Sequence, residues 1–533
     1  MAKKPFPCFC SLLLSVCLTY TGCFSVNEPS TYYGKVVTPK TQELRWSNGG
    51  LPQTFDPAFA AAPPDTDAVR ALFEGLTDYD PKTLDPVPAV ATRWESSNDA
   101  RVWTFYLRNN ARWSNGEKVT AGDFVRSWER TLKIGALAPH TDLLANIEGA
   151  TPDTATPDSF GVRALNEHVL QVRLQHADHS FPALVAHPVF RPVKVADADR
   201  TDRIQSGDLI SNGAFHLAAT ESDRVQLERA KTYWDGESVA LDRVTFVNTA
   251  SAEDALSAYH AGEIDAVTNA PFEPLALKLL APYKDFRRST YGALTYYGFN
   301  TAREPFDDVR VREALALAVD RERVTRDDLG GATEPAGKFL PDEMSGEKPV
   351  VDKEELLEHD VNKARELLAE AGYPDGEGFP VIRLLINRNE QQRIVAHSIA
   401  AMWRTALNIE TEIVIRNWDE YRAAINAGDY DVVRRGLVMQ TTSEFMNISA
   451  MFERETQALP VASPDASPGT SPAPEEKSVL ETESQALKDL RAMPIYFASS
   501  YSLVKPYVSG FDLNVLDVPS LKRTRLETNW THP

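Results

Sequence analysis

The chain has 533 residues and only four cysteines, Cys8, Cys10, Cys17 and Cys23. All of them lie in the first 23 positions, so the body of the protein has no disulfide and no cysteine set for zinc or an iron–sulfur cluster. Basic charge is in deficit as well: 56 Lys and Arg against 76 Asp and Glu leave a formal net charge of −20. That balance argues against nucleic acid as a partner, because phosphate backbones are captured by clustered cations. The ten histidines are dispersed and none sits in a His-Glu-x-x-His pattern. A nucleophile elbow, a Walker loop and a dinucleotide fingerprint are all missing. The glycine-rich "GYPDGEGF" at 372–379 contains Pro374 and follows a helical pattern, which makes it a helix stop and turn. No spacing of residues selects an enzyme, a metal or a cofactor, and a binding protein becomes the leading class.

Long apolar runs are scarce too. The one at the N-terminus, "FCSLLLSVCLTYTG", follows Lys3 and Lys4 and is too short to span a bilayer, which fits a secretory signal. It ends in "YTGC", which resembles the lipobox of bacterial lipoproteins, although Tyr20 stands where that pattern prefers Leu. The resemblance implies cleavage after residue 22, lipidation of Cys23 and a tether over 23–43. Together these expect an envelope protein held to the membrane by its lipid. An ordinary cleavable signal with an incidental cysteine is the alternative.

At 533 residues the chain exceeds one hydrophobic core, and two or three domains are expected. Strand patterns ("RVWTFYLRNNARW", "HVLQVRLQ", "RVQLERA", "RVTFVNTA", "FPVIRLLIN") alternate with amphipathic helices. "SAEDALSAYHAGEID" carries an N-cap at Ser251 and a stop at Gly262. "DDVRVREALALAVDR" places Val311, Ala314, Leu315 and Ala318 on one face, and "DVNKARELLAEAGY" ends at Gly372. The fold class is therefore α/β, with mixed sheets flanked by helices. Residues 459–477, "LPVASPDASPGTSPAPEEK", are Pro- and Ser-rich without an aromatic and read as a disordered surface loop.

The segment "DVVRRGLVMQTTSEF" (431–445) sets Arg434 and Arg435 in an apolar strand. A guanidinium keeps its proton and needs an anionic partner when buried. Strand periodicity sends the two side chains to opposite faces, so Arg434 can meet an aspartate of the fold or a ligand on one face while Arg435 meets an ion pair or solvent on the other.

Ordered blocks carry a family resemblance over about nine-tenths of the mature chain. Among them are "VWTFYLRNNARWSNGEKVTAGDFVRSWER" (102–130), "YYGFNTAREPFDDVRVREALALAVDR" (296–321), "ARELLAEAGYPDG" (364–376) and "MPIYFASSYSLVKPYVSGF" (493–511). They resemble the family 5 solute-binding proteins of ABC importers, whose type members bind oligopeptides and dipeptides. The resemblance implies a two-lobed periplasmic-binding-protein fold with an inserted domain. Lobe I would take 44–69, 194–295 and 504–533, the insert 70–193, and lobe II 296–503. It implies a monomer that encloses an oligopeptide by hinge closure and delivers it to a permease and its ATPase. Aligned without gaps, Arg434, Gly436, Leu437, Val438 and Gln440 fall on the family's ligand strand. Trp418, Tyr296 and Tyr297 are further candidates to line the pocket. Gln440 departs from the pattern, which has an Asp there for the peptide ammonium, and Glu444 is the nearest substitute. Pro52, which has no N–H, lies where members use main chain near the ligand. A non-peptide or N-blocked solute on the same fold, or a scaffold without transport, are the other readings.

Overall fold

The computed structural model describes residues 31–150, 160–195, 201–344, 356–456, 480 and 482–531. The signal sequence, Cys23 and the loop 459–477 lie outside these residues. One 11-stranded mixed sheet runs through the molecule. From one edge its order is Thr411–Arg416, Ile382–Asn387, Val432–Val438, Phe286–Phe299 and Ala492–Val504. It continues with Ala266–Thr268, Glu43–Asn48, Arg243–Val247, Arg224–Arg229 and Phe215–Thr220, and Thr333–Pro335 pairs with Ala492–Val504 off this path. A separate antiparallel sheet joins Ala91–Ser96, Val102–Leu107, Val169–Arg173 and Val162–Asn166.

The helices start and stop where the side chains dictate. Ser251 accepts the Asp254 N–H at the head of helix Ala252–Ala261, and Gly262 closes it in the left-handed region at φ 80°. Asp308 and Asp360 cap helices Val309–Leu317 and Val361–Glu370 in the same way. Apolar side chains collect into two large cores. One contains Trp46, Trp113, Trp128 and Phe246; the other contains Tyr297, Trp403, Phe452 and Phe497. These are the cores of two lobes.

Two strands longer than the rest link the lobes. Phe286–Phe299 and Ala492–Val504 have 14 and 13 residues and pair with each other. Leu503 and Val504 also pair with strand Ala266–Thr268 of the first lobe, whereas Ala293–Phe299 pair with Val432–Val438 of the second. Between Tyr291 and Leu294 the register of the two long strands slips, a bulge that bends the ribbon as it passes from lobe to lobe. Gly292 sits in the slip. Its N–H donates to the Val515 carbonyl and its carbonyl accepts the Met439 N–H, both at 2.7 Å. A Cβ there would lie 3.0 Å from Met344 Cε and 3.1 Å from the Val515 oxygen. The ribbon therefore crosses at a point with no room for a side chain.

The sequence expectation of a tether over 23–43 needs shortening at its end. Within the described residues, Tyr33 N–H donates to Asp285 Oδ1 (2.9 Å), Thr38 Oγ1 to the Trp530 carbonyl (2.9 Å) and Gln42 Nε2 to the Leu526 carbonyl (2.7 Å). The aromatic rings cause this: Tyr33 lies against Tyr259, His260 and Tyr283. Among the described residues no helix is long and apolar enough to cross a membrane.

The crowding at Gly292 sets an expectation. Gly292→Val overpacks the crossing at a cost of about 1–3 kcal/mol, which thermal unfolding reads as a Tm lowered by several degrees; Gly207→Ala, exposed and beside open space with an ordinary backbone conformation, serves as the mild control.

Candidate functional site: an open strand edge

Strand Val432–Val438 is paired unequally on its two sides. Toward Phe286–Phe299 it pairs along its whole length, Val432 with Phe299 through Val438 with Ala293. Toward Ile382–Asn387 it pairs only at Val432 and Val433. Two hydrogen bonds fix which main-chain groups face which side: Asn300 N–H to the Asp431 carbonyl (2.9 Å) and Met439 N–H to the Gly292 carbonyl (2.7 Å). Residues alternate in an antiparallel ladder. Odd-numbered residues thus bond to the long strand, and the main-chain groups of Arg434, Gly436 and Val438 face the other edge. Among the described residues no strand covers that edge at Gly436 or Val438.

Side chains meet part of this edge. The Tyr421 hydroxyl donates to the Arg434 carbonyl, and Gln440 Nε2 donates to the Val438 carbonyl at 3.4 Å. Gly436 is exposed, and Val438 is an apolar side chain left 45% exposed. Trp418 is 57% exposed and stacks on Tyr421 with ring centres 5.5 Å apart. A line of Trp418, Tyr421, Arg434, Gly436 and Val438 thus borders the unpaired main chain. Tyr421 was missing from the sequence reading. Its signal was present, because Trp418 and Tyr421 are three apart in helix Trp418–Asn426 and share a face.

Arg434 shares a face with Gly436 and lies along the strand. A Cβ on Gly436 would stand 3.2 Å from Arg434 Nη2, so the glycine makes room for the guanidinium. Nη2 reaches Thr295 Oγ1 at 3.4 Å, and Nε is buried without a partner. No carboxylate lies within ion-pair distance of Arg434 among the described residues. The acids nearest in sequence are committed elsewhere. Asp431 accepts from Arg303 (3.1 Å) and from the Arg383 N–H (2.8 Å), and Asp429 pairs with Arg383 at 2.7 Å. Arg435 turns to the opposite face and is half-buried.

Tyr296 and Tyr297 do not reach this surface. They are 4% and 0% exposed, because their strand has a neighbour on each side and layers above and below it. Burial raises the Tyr297 hydroxyl above its ordinary range, while nearby Arg434 pulls it down. Leu437 packs half-buried on the second core, on the face away from Arg434. Pro52 is buried.

Beyond the strand the chain turns toward the first lobe. Ser443 Oγ donates to Asp178 Oδ2 at 3.3 Å, and Phe445 stacks on His176 at 5.6 Å. Glu444, the substitute expected for a missing acid, accepts the Glu483 N–H at 2.6 Å and is committed there. Glu483 is fully buried; its Oε1 accepts the Leu340 N–H (2.6 Å) and its Oε2 has no partner. Burial pushes the Glu483 carboxyl up to about 7, with Glu444 adding to the rise.

A family model for bacterial extracellular solute-binding proteins, family 5, matches residues 85–458. The periplasmic murein peptide-binding protein MppA of Escherichia coli is 32% identical over 96% of this chain and 98% of its own length. The periplasmic oligopeptide-binding protein OppA of the same organism is 30% identical over 89% and 91%. The unliganded open form of MppA superposes with TM-score 0.75 at 29% identity, covering 92% of this chain and 98% of that one. A second structure of Escherichia coli MppA, at 30% identity with 92% and 99% covered, gives only 0.62.

The raised pKa of Glu483 has a definite sign. Its folded-state value lies above the ordinary 4.5, so its contribution to stability is complete below about pH 4.5 and is lost as pH rises through about 7. Glu483→Gln should flatten the fall in Tm between pH 5 and 8 and overtake the parent at pH 8, as differential scanning calorimetry over that range would measure.

Proposed function

Since the chain belongs to the family 5 bacterial extracellular solute-binding proteins, we propose that it captures oligopeptides for an ABC importer by adding them as a strand to the edge at Arg434–Val438. The observation that carries this reading is the main chain of Gly436 and the N–H of Val438, which no strand of the described residues pairs in this exposed stretch. An extended peptide presents the same alternating N–H and C=O groups as a missing strand, so it satisfies that edge whatever its side chains. Affinity then comes mostly from main chain, and side-chain preference from what borders the edge. The names of the relatives MppA and OppA, a murein peptide-binding and an oligopeptide-binding protein, support a peptide solute.

In this reading lobe I comprises 44–69, 194–295 and 504–533, the inserted domain 70–193 and lobe II 296–503. The two cores and the crossing strands support two lobes, and the inserted domain shares the first core through Trp113 and Trp128. Closure swings the lobes about the slipped register near Gly292 and brings the first lobe over the open edge. The protein works as a monomer in the periplasm or cell envelope, held by a lipid on Cys23, and hands its peptide to a permease driven by an ATPase. The relatives' periplasmic location supports the compartment.

Val438→Pro tests the main-chain mechanism, because it deletes one N–H on the open side and spares the ladder to the long strand. Proline is tolerated at such edge positions. Isothermal titration with an extended tetrapeptide should show at least tenfold weaker binding with an unchanged Tm of the free protein. Equal affinity in parent and variant would contradict strand addition at this edge.

A further inference from the structure

The stretch "PLALKLLAPYK" (274–284) holds four leucines, two lysines and no acid, in a chain whose net charge is −20. It forms helix Pro274–Leu280 and the turn after it. Residues four apart share one side of a helix, and here Leu275 and Leu279 stand 68% and 64% exposed. Leu280 turns inward instead, onto a small apolar cluster with Tyr259, Ile264, Val267 and Leu503. Lys278 and Lys284 are exposed on the same stretch and form no ion pair among the described residues. Strand addition uses none of these side chains.

The N-terminal segment is fixed beside this helix. Tyr33 packs on the same cluster and meets Tyr283 with ring centres 5.3 Å apart. The Thr31 carbonyl accepts the Lys284 N–H at 3.0 Å, and the Tyr33 carbonyl accepts from Lys505 Nζ at 3.2 Å. Lys505 is itself buried, with its ammonium 3.6 Å from the centre of the Tyr259 ring. The Lys35 N–H donates to the His260 carbonyl at 2.8 Å, and Gly34 lies so close that a Cβ there would fall 2.4 Å from His260 Cα. Residues 31–35 are thus clamped to the first lobe. The chain that precedes them leaves the body beside Lys284, five positions past Leu279.

We propose that this helix face is a membrane-contact site, with Leu275 and Leu279 in the bilayer interface and Lys278 and Lys284 on anionic headgroups. The proposal rests on the reading of Cys23 as a lipidated residue. From Cys23 to Thr31 the chain advances eight residues, a reach of at most about 29 Å. Ten strands lie in line in the large sheet, which at about 4.8 Å per neighbour is roughly 40 Å wide. A tether shorter than the body's width holds the face it leaves from nearest the membrane. Apolar side chains on such a helix are buried at the headgroup boundary, and lysines beside an anionic surface add attraction. The lipid makes the contact intramolecular, so a patch of two leucines and two lysines suffices where it would be too weak alone.

The test is hydrogen exchange read by mass spectrometry. The lipoprotein is seated on vesicles of equal parts phosphatidylcholine and phosphatidylglycerol and compared with the unlipidated chain 24–533 in solution. Amides of 275–284 should exchange at least threefold slower on the vesicles. Those around Leu137 and Leu165, leucines also exposed but outside the cluster, should not change. The double variant Leu275→Gln, Leu279→Gln should lose the slowing and keep the parent's Tm, because neither side chain is buried. Lys278→Gln with Lys284→Gln should weaken the slowing on these vesicles and leave exchange on pure phosphatidylcholine vesicles as in the parent. The mass of the N-terminal peptide reports whether Cys23 carries lipid. Equal exchange on vesicles and in solution by a lipidated chain overturns the contact and leaves the lipoprotein reading standing. An unmodified Cys23 overturns both. Slowing produced by a bound tetrapeptide without vesicles assigns the leucines to lobe closure and also overturns the proposal.

Discussion

Main-chain hydrogen bonding is the constraint on which this structure depends. Each residue of a strand carries a donor and an acceptor that must be met by a neighbouring strand, a side chain, water or a ligand. Strand Val432–Val438 is met on both sides for two residues and on one side for the rest. Tyr421 and Gln440 each meet one of the carbonyls that remain, and Gly436 is left to solvent. Exposed edges invite unwanted pairing, and proteins usually blunt them with charge, bulges or cover.

The crossing ribbon explains how such an edge stays both available and protected. The long strands belong to both lobes, and their register slips at Gly292, where main chain and neighbours leave no space for a side chain. In the proposed closure a bend at that point would change the angle between lobes without breaking either core. Trp418 and Val438 are exposed, apolar surface that a closing lobe and a bound chain would cover.

Much of the fold was legible in the sequence. Ser251, Asp308 and Asp360 cap helices as their spacing suggests, and the α/β class follows from the alternation of periods. The strand at 432–438 and the opposite facing of Arg434 and Arg435 were legible as well, because period-two alternation is local. What was not legible depends on distant partners. That Ile382–Asn387 stops pairing after Val433 is a matter of sheet geometry, so the open edge could not be read from residues 431–445. Tyr296 and Tyr297 looked like pocket aromatics, yet an interior strand buries both of its faces. Glu444 looked like a spare acid until the Glu483 N–H was seen to hold it. The N-terminal tether seemed longer because Tyr33 finds its aromatic partners more than two hundred residues away.

Residue-resolved amide hydrogen exchange, with and without a bound tetrapeptide, tests the central claim most directly. Strand addition predicts fast exchange at Gly436 and Val438 in the free protein and protection of both by at least a hundredfold in the complex. Leu437, already bonded to the long strand, should be slow in each state. Binding that protects other amides while Gly436 and Val438 continue to exchange freely would contradict it.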